Sequence, residues 1–423
     1  MSNATEATSR AEASPAAWTR YDTIWMLSLF GTAVGAGILF LPINAGIGGF
    51  WPLVIMALLI GPMTYLSHRG LSRFVCSSSR PDADITEVVT EHFGPAAGRF
   101  LTVLYFLAIY PIVLIYGVGI TNTVGSFIEN QMGMTPPARW LLSGLLVAGM
   151  MLVMIAGQWI MLIVTQWLVY PLVAILIFVS LYLIPEWNLA SVREVTPMGL
   201  TLSTIWLTLP VLVFSFNHSP AISQFAVAMR RHYGADEGTV KADLVLRNTA
   251  AMLVGFVMLF VFSCVLALSP AQLAEAKAQN LPILSYLANV NGSPFVSYFG
   301  PAVAFLAIVS SFFGHYLGAA EGMQSILRGT VMPDPSKVSD RKMKQGIAVF
   351  IFFTTWGAAI LNPSILGLIE MLAGPVIAAI LYLMPMYAIY KVPALAKYRH
   401  QLSNIFVIIA GVVTISAIFY SFF

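Results

Sequence analysis

Apolar residues fall in blocks along this chain, separated by short polar links. An α-helix needs about 20 mostly apolar residues to cross the hydrocarbon core of a membrane. Eleven such blocks stand at roughly 23–47, 50–68, 98–128, 139–156, 159–184, 201–229, 247–268, 295–327, 345–361, 364–389 and 403–422. The links at Gly48–Gly49, Gly157–Gln158 and Asn362–Pro363 are short enough to force antiparallel neighbours. Two stretches between blocks carry structure of their own. Ile85–Phe93 is mildly amphipathic and is expected along the inner surface, and residues 269–292 are expected to form a short outer helix pair over a vestibule.

Composition removes the alternatives. Apolar residues make up 58% of the chain and charged residues 9%, against about a quarter charged in soluble domains, and the mean hydropathy is +0.84. The 423 residues therefore read as an all-α integral membrane protein. The first twenty, polar and without an apolar run, read as a flexible cytoplasmic tail rather than a signal peptide. Cys76 and Cys264 offer no disulfide framework. The net charge of +3 is scattered through loops and predicts no nucleic-acid partner. With the amino terminus placed inside, eighteen of the 21 Lys and Arg residues fall on the inner side. Arg139, Arg193 and Lys277 fall outside. Basic residues favour the cytoplasmic side, so the expected topology in the bacterial inner membrane is amino terminus cytoplasmic, carboxyl terminus outside.

Two blocks resist being continuous helices. The first contains Gly31-Thr-Ala-Val-Gly-Ala-Gly37, followed by Pro42, and each interior glycine weakens a helix by roughly 1 kcal/mol relative to Ala. Small residues four apart also suit close helix packing, so this segment alone decides nothing. The sixth block supplies a counterpart in Phe214-Ser-Phe-Asn-His-Ser-Pro220. Proline removes a backbone donor, and polar groups in mid-membrane tend to be functional. Blocks one and six correspond if residues 21–185 and 201–390 are two inverted five-helix repeats, with 403–423 an eleventh helix. Interrupted segments at matching positions point to a transporter site. Broken helices present free N–H groups, carbonyls and half-helix dipoles, which suit an amino acid's carboxylate and ammonium. The candidate substrate residues are Thr32, Ala33, Gly35, Ala36 and Gly37 at the first break and Phe216, Asn217, His218 and Ser219 at the sixth. The third block carries Tyr105, Tyr110 and Tyr116; Tyr110 and Tyr116 are six apart and fall on different faces, and Tyr110 is the one expected to join the site through its hydroxyl.

An enzyme is disfavoured because no two of the six histidines stand at ligand spacing, and a channel because no filter loop or pore-lining repeat is visible. No cofactor is expected beyond a coupling ion. Asp22, ahead of the first block, is expected to pair with inner-face arginines as a gate. Glu321 and Glu370 are acidic groups inside blocks: Glu321 is expected in a gate ion pair with a loop arginine rather than in proton transport, Glu370 in an outer gate, with direct coupling the competing role for each. His315 is expected to bridge helices.

Several motifs carry a family resemblance: Gly-Thr-Ala-Val-Gly-Ala-Gly-Ile-Leu-Phe-Leu-Pro from Gly31, Asp-Ile-Thr-Glu-Val-Val from Asp84, Phe-Ser-Phe-Asn-His-Ser-Pro from Phe214, Leu-Ser-Tyr-Leu-Ala-Asn from Leu284 and Phe-Gly-His-Tyr-Leu-Gly from Phe313. The chain resembles the bacterial serine/threonine permeases of the hydroxy and aromatic amino acid permease family, the serine-selective ones above all. The resemblance runs from about Trp18 to the end. It implies membership of the amino acid–polyamine–cation superfamily, a LeuT-type 5+5 inverted repeat with discontinuous helices 1 and 6, and import of L-serine, with L-threonine a second candidate substrate, by cation symport. An aromatic amino acid permease of the same family is the alternative.

The resemblance also implies a position for the ion. In Na⁺-coupled LeuT-fold carriers Na⁺ lies between carbonyls of the broken first helix and hydroxyls of the eighth. The matching groups here are the carbonyls of Gly31, Val34 and Ala307 and the hydroxyls of Ser310 and Ser311. Serines in helices also bond back to their own carbonyls, which is the competing reading. Proton-coupled relatives are expected to carry lysine where this chain has Ser310; without that fixed charge Na⁺ is favoured over H⁺.

Overall fold

A computed structural model describes residues 17–155, 158–193, 197–331 and 339–422. Most of the expected tail, the link residue Gly157 and Lys337 lie outside the described residues. The chain is helical: α1 (Arg20–Ala33), α2 (Ala36–Gly46), α3 (Phe50–Cys76), α4 (Ile85–Asn130), α5 (Arg139–Ile155), α6 (Gln158–Tyr182), α7 (Met198–Ser215), α8 (Ser219–Tyr233), α9 (Ala235–Ala267), α10 (Pro270–Ala278), α11 (Ile283–Val290), α12 (Pro294–Ile326), α13 (Asp340–Leu361), α14 (Ile365–Lys391) and α15 (Leu402–Ser416). Among the described residues nine helices are long and apolar enough to cross a membrane, α1 and α2 together make a bent tenth, and α5 is shorter but apolar. All eleven expected spans are accounted for. Their outer surface suits lipid rather than water: Leu58, Trp167 and Leu402 are 73%, 76% and 83% exposed.

The helix starts follow their capping chemistry. Thr19 and Asp22 form a reciprocal capping box at α1, as do Asp84 and Glu87 at α4 and Ser269 and Gln272 at α10, each answering backbone N–H groups that a helix start leaves unpaired. The third span begins earlier than the apolar pattern suggested, because Ile85–Phe93 is helical and joins the span through Gly94 (φ 81°) and Pro95. It is tied inward: the Ile85 N–H donates to Ser223 Oγ (3.0 Å), and the Thr86 and Ser325 hydroxyls are 2.9 Å apart. The expected outer helix pair is α10 and α11. α14 departs from regular geometry at two π turns, Ile369–Ala373 and Ala379–Leu383.

The helices sort into two packed groups. α4 packs most extensively on α12 and also on α5 and α13; α9 packs on α1, α3 and α8, and α2 on α7. One end of the molecule, here the basic face, holds the loop ion pairs of Arg231 with Asp82, Arg328 with Asp340 and Arg73 with Asp243.

Candidate functional site

The first helix breaks at Val34–Gly35, inside the glycine-rich segment but narrower than it, and the two halves are bent by 53°. Neither side of this break has a side-chain cap, so the peptide groups themselves form its polar surface. Two glycines permit the geometry by close approach. A Cβ on Gly35 would stand 2.4 Å from Ser311 Oγ and 2.9 Å from the Tyr116 hydroxyl, and one on Gly37 would stand 2.6 Å from Ser215 Cα. The first break is thus pressed against α12 on one side and the end of α7 on the other. Thr32, Ala33, Gly35, Ala36 and Gly37 are all buried there; the Thr32 hydroxyl bonds back to Ser28 O (2.9 Å).

The sixth span breaks at Phe216–His218, and Pro220 sits in the first turn of α8, where its missing N–H costs nothing. This break is filled by side chains. Asn217 Oδ1 accepts from the Ser219 N–H (3.1 Å). His218 stacks on His68 of α3, ring centroids 3.6 Å apart and planes 7° from parallel. Carbonyls accept only, so the contacts fix both tautomers. His68 Nδ1–H donates to Thr64 O (2.7 Å), leaving Nε2 to accept the His218 backbone N–H (3.1 Å). His218 Nδ1–H donates to Phe216 O (3.1 Å). The buried Asn217 Nδ2 and His218 Nε2 have no partner.

Between the first break and α12 runs a short hydroxyl chain. Ser311 Oγ donates to Thr32 O (2.6 Å), which leaves the Tyr116 hydroxyl to donate to Ser311 Oγ (2.7 Å). His315 Nδ1–H donates to Ser311 O (2.9 Å), and Nδ1 lies 3.5 Å from both the Tyr116 and Ser311 hydroxyls. Ser310 Oγ bonds back to Ala307 O (3.2 Å). Of the expected ion ligands, Ser311 is linked to the first break through Thr32 O. Among the described residues no hydrogen bond joins Gly31 O or Val34 O to the two serines, and Ser310 makes the intrahelical bond anticipated as its competing reading.

Other placements differ from expectation. Tyr110 is half-buried between Phe106 and Phe350, ring centroids 4.8 and 5.7 Å away, so the tyrosine that α4 brings to the break is Tyr116, six residues on and on another face. Asp22 pairs with Lys241 of α9 rather than an arginine (2.9 Å), both buried, and also accepts from the Tyr233 hydroxyl (2.9 Å). Glu321 makes no ion pair among the described residues. Of the arginines that share a cavity with it, Arg328 pairs with Asp340, Arg231 with Asp82 and Arg80 with Glu87. Glu370 accepts from Asn44 Nδ2 (2.6 Å) and lies 3.6 Å from Lys277 Nζ, on the face opposite the basic one.

That opposite face is latched by polar groups. Asn280 and Asn362 are the two non-glycine residues with positive φ among those described, at 54° and 50°, a conformation asparagine tolerates better than most. Asn280 Nδ2 donates to Asn362 Oδ1 (3.2 Å) and Pro363 O (2.9 Å). Asn122 Nδ2 reaches Asn280 O (2.9 Å) and Asn362 Oδ1 (3.0 Å), and Arg139 Nη2 donates to Asn122 Oδ1 (2.7 Å). Nearby, burial and the Glu275 carboxylate push the Tyr286 phenol up to about 12. The basic face opens into cavities of about 570, 690 and 1210 Å³, and the opposite face into one of about 590 Å³ beside the latch, lined by Asn122, Arg139 and Asn362.

The residues missed from sequence are His68, Lys241 and Tyr116. A histidine inside an apolar run signals a polar partner in the membrane, which marks His68; nothing local separates Lys241 from its loop neighbours.

The family model described as the tryptophan/tyrosine permease family matches residues 24–422. The serine transporter SdaC of Escherichia coli K12 is 52% identical over 417 residues, 97% of each chain, and SdaC of Shigella flexneri is likewise 52% identical over 417 residues. Among solved structures, a substrate-bound, outward-open Na⁺-coupled sialic acid symporter aligns with TM-score 0.59 at 12% identity, over 94% of this chain and 88% of its own. MhsT in complex with L-phenylalanine aligns with TM-score 0.54 at 15% identity, over 96% and 98%. At such identities these two bear on the fold alone, the LeuT-type arrangement with a broken first and sixth helix. With the family model spanning nearly every span and half of all positions shared with a full-length relative, the chain belongs to the tryptophan/tyrosine permease family.

Proposed function

We propose that the chain imports L-serine across the bacterial inner membrane by cation symport, with Na⁺ favoured, through alternating access, the basic face being cytoplasmic. The observation that carries the substrate is the 52% identity to the E. coli serine transporter across 97% of both chains. L-Serine would bind its carboxylate at the bare amides of Ala36 and Gly37, with the unpartnered Asn217 Nδ2 supplying a further donor.

The ion reading rests on chemistry at Ser311. Its hydroxyl proton lies between two oxygens 2.6 Å apart, Ser311 Oγ and Thr32 O. A cation that displaces this proton from Thr32 O finds a carbonyl and a hydroxyl from two different helices. Uncharged oxygens suit a hard cation such as Na⁺, and Ser310 and Ala307 O stand within one turn. Rocking of the group α1, α2, α3, α7, α8 and α9 against α4, α5, α12 and α13 would make or break this contact, coupling ion binding to access.

Purified protein in liposomes, given a Na⁺ gradient and no pH gradient, should accumulate labelled L-serine; no Na⁺ stimulation would reject Na⁺ coupling in favour of H⁺. Ser310→Lys should abolish the Na⁺ dependence. A thermal-shift screen over amino acids checks the substrate, since a ligand at 100 times its Kd stabilises the native state by about 2.7 kcal/mol. Stabilisation by Trp or Tyr but not Ser would instead favour an aromatic permease.

A further inference from the structure

Glu321 has no role in the site above, yet it lines all three basic-face cavities. It lies ten residues beyond Ser311 on α12, about 15 Å along the helix, between the breaks and the basic face. Ser223 of α8 faces its carboxyl, and the other oxygen, Oε1, is buried without a hydrogen-bond partner. Tyr105 of α4 packs beside it, over Gly318 and Gly322, and its hydroxyl is also unpartnered.

The surroundings do not favour a fixed negative charge. From the start of α4, Asp84 and Glu87 bring negative charge close to it. Asp84 is already committed to its own helix cap. The cations along the cavity walls are paired elsewhere or stand back from it: Arg80, Arg231 and Arg328 hold Glu87, Asp82 and Asp340, and Arg99, Arg341 and Lys344 form no ion pair with Glu321. The exposed Asp82 carboxyl is held below the usual range by its bond to Arg231, so it stays charged at neutral pH. His232 lines the same cavity and stacks on Tyr21, ring centroids 4.1 Å apart; it is the competing titratable group.

Glu321 is half-buried, with Oε1 shut off from water; a carboxylate so placed without a cation is expensive to keep charged, and taking up a proton removes the charge. A metal cation would need several oxygen ligands, whereas a proton needs one. We propose that Glu321 is a proton-binding site on the path between the helix breaks and the basic face. Its carboxylate takes a proton from cavity water to become the neutral acid and returns it to that water, so exchange of substrate through the basic side follows the pH there. The inference rests on the transport reading above but not on which ion binds at Ser311.

The test is L-serine counterflow in liposomes with equal Na⁺ on both sides, the pH facing the basic side being varied. Between about pH 5.5 and about pH 8.5 the wild-type rate should change at least about fivefold, as one titrating group predicts. Glu321→Gln should hold the wild-type low-pH rate across the range. Glu321→Asp should keep a pH dependence with a displaced midpoint, which decides the matter if the glutamine variant is inactive. His232→Gln should keep the wild-type profile. A Glu321→Gln profile identical to wild type, a flat wild-type profile, or loss of the profile in His232→Gln overturns the proposal. Infrared difference spectra across the same pH range do not need transport: a protonated-carboxyl band should be present in wild type and missing in Glu321→Gln, and an identical band in both would sink the assignment. Failure of Na⁺ coupling would appear separately, as no response to Na⁺ at fixed pH.

Discussion

The two helix breaks occupy matching places in the two repeats, yet they are built in opposite ways. The first is bare: no side chain caps either half, and its glycines let the backbone press against Ser311, Tyr116 and Ser215. The sixth is clothed, with Asn217 Oδ1 accepting the Ser219 N–H and His218 stapled to His68. The staple stays within one packed group, since α3 and α8 belong together. The first break touches the other group, through Thr32 O and Ser311. Matching topology therefore hides a difference in kind: the side chains of the sixth break are stapled within its own group and Pro220 meets Gly318 of α12 by packing, whereas the first break is hydrogen-bonded across the groups.

That contrast can be broken or sharpened by mutation. The largest effect is expected where α1 is anchored at its far end. Removing one partner of a buried ion pair costs about 3–5 kcal/mol, so Lys241→Met should lower the melting temperature strongly, and adding Asp22→Asn should recover much of the loss. Equal stability of Lys241→Met and the parent would show that the pair does not hold the half-helix. Gly35→Ala comes next. Overpacking costs about 1–3 kcal/mol, and because the new methyl collides with Ser311 Oγ, serine uptake should fall at least about tenfold, the equivalent of about 1.4 kcal/mol. Normal uptake would mean that the close approach is dispensable. His68→Gln retains an acceptor for the His218 N–H but loses the ring stack, at about 1 kcal/mol; the melting temperature should drop modestly with the apparent affinity for serine unchanged. A large affinity loss would place His218 in the substrate site rather than in a staple. Smallest in stability is Ser310→Ala, within about 0.5 kcal/mol, since its hydroxyl bonds only its own helix. Ser311→Ala should cost more, about 1–3 kcal/mol, because it strips Thr32 O and the Tyr116 hydroxyl of their buried partner. It should also lose ion-stimulated uptake where Ser310→Ala keeps its stability, which transport at saturating and limiting Na⁺ would separate.

The spans and both breaks were legible because the features that cause them are local. Twenty apolar residues must cross a bilayer or be buried, glycines weaken one helix, and Pro220 with its polar neighbours interrupts another. The structure keeps both breaks inside the segments expected for them, whereas several helices outrun their apolar blocks: α3 continues to Cys76, and α4 and α9 begin at Ile85 and Ala235. What was not legible arises between segments. Tyr110 and Tyr116 carry the same hydroxyl on one long helix, and only the packing of α4 on α12 selects Tyr116. The His68–His218 stack joins residues 150 apart in sequence. Lys241 looks like one more loop cation until α9 carries it beneath Asp22. The π turns of α14 follow from no residue type and leave no mark on the apolar pattern.

The asparagine latch has a mechanical consequence. The helix pair α10–α11 is joined to its surroundings in two different ways. Toward α2 it offers a greasy contact, Leu273 against Gly46, with a polar bridge from Lys277 to Asn44 through Glu370 beside it. Toward α4, α5 and the α13–α14 corner, the loop between the two helices is held by directional bonds through Asn280, Asn122, Asn362 and Arg139. Oily contacts can slide, whereas bonds fixed in direction must be broken. The pair should therefore travel as a roof bolted to one wall, with the other wall free to slip beneath its eaves.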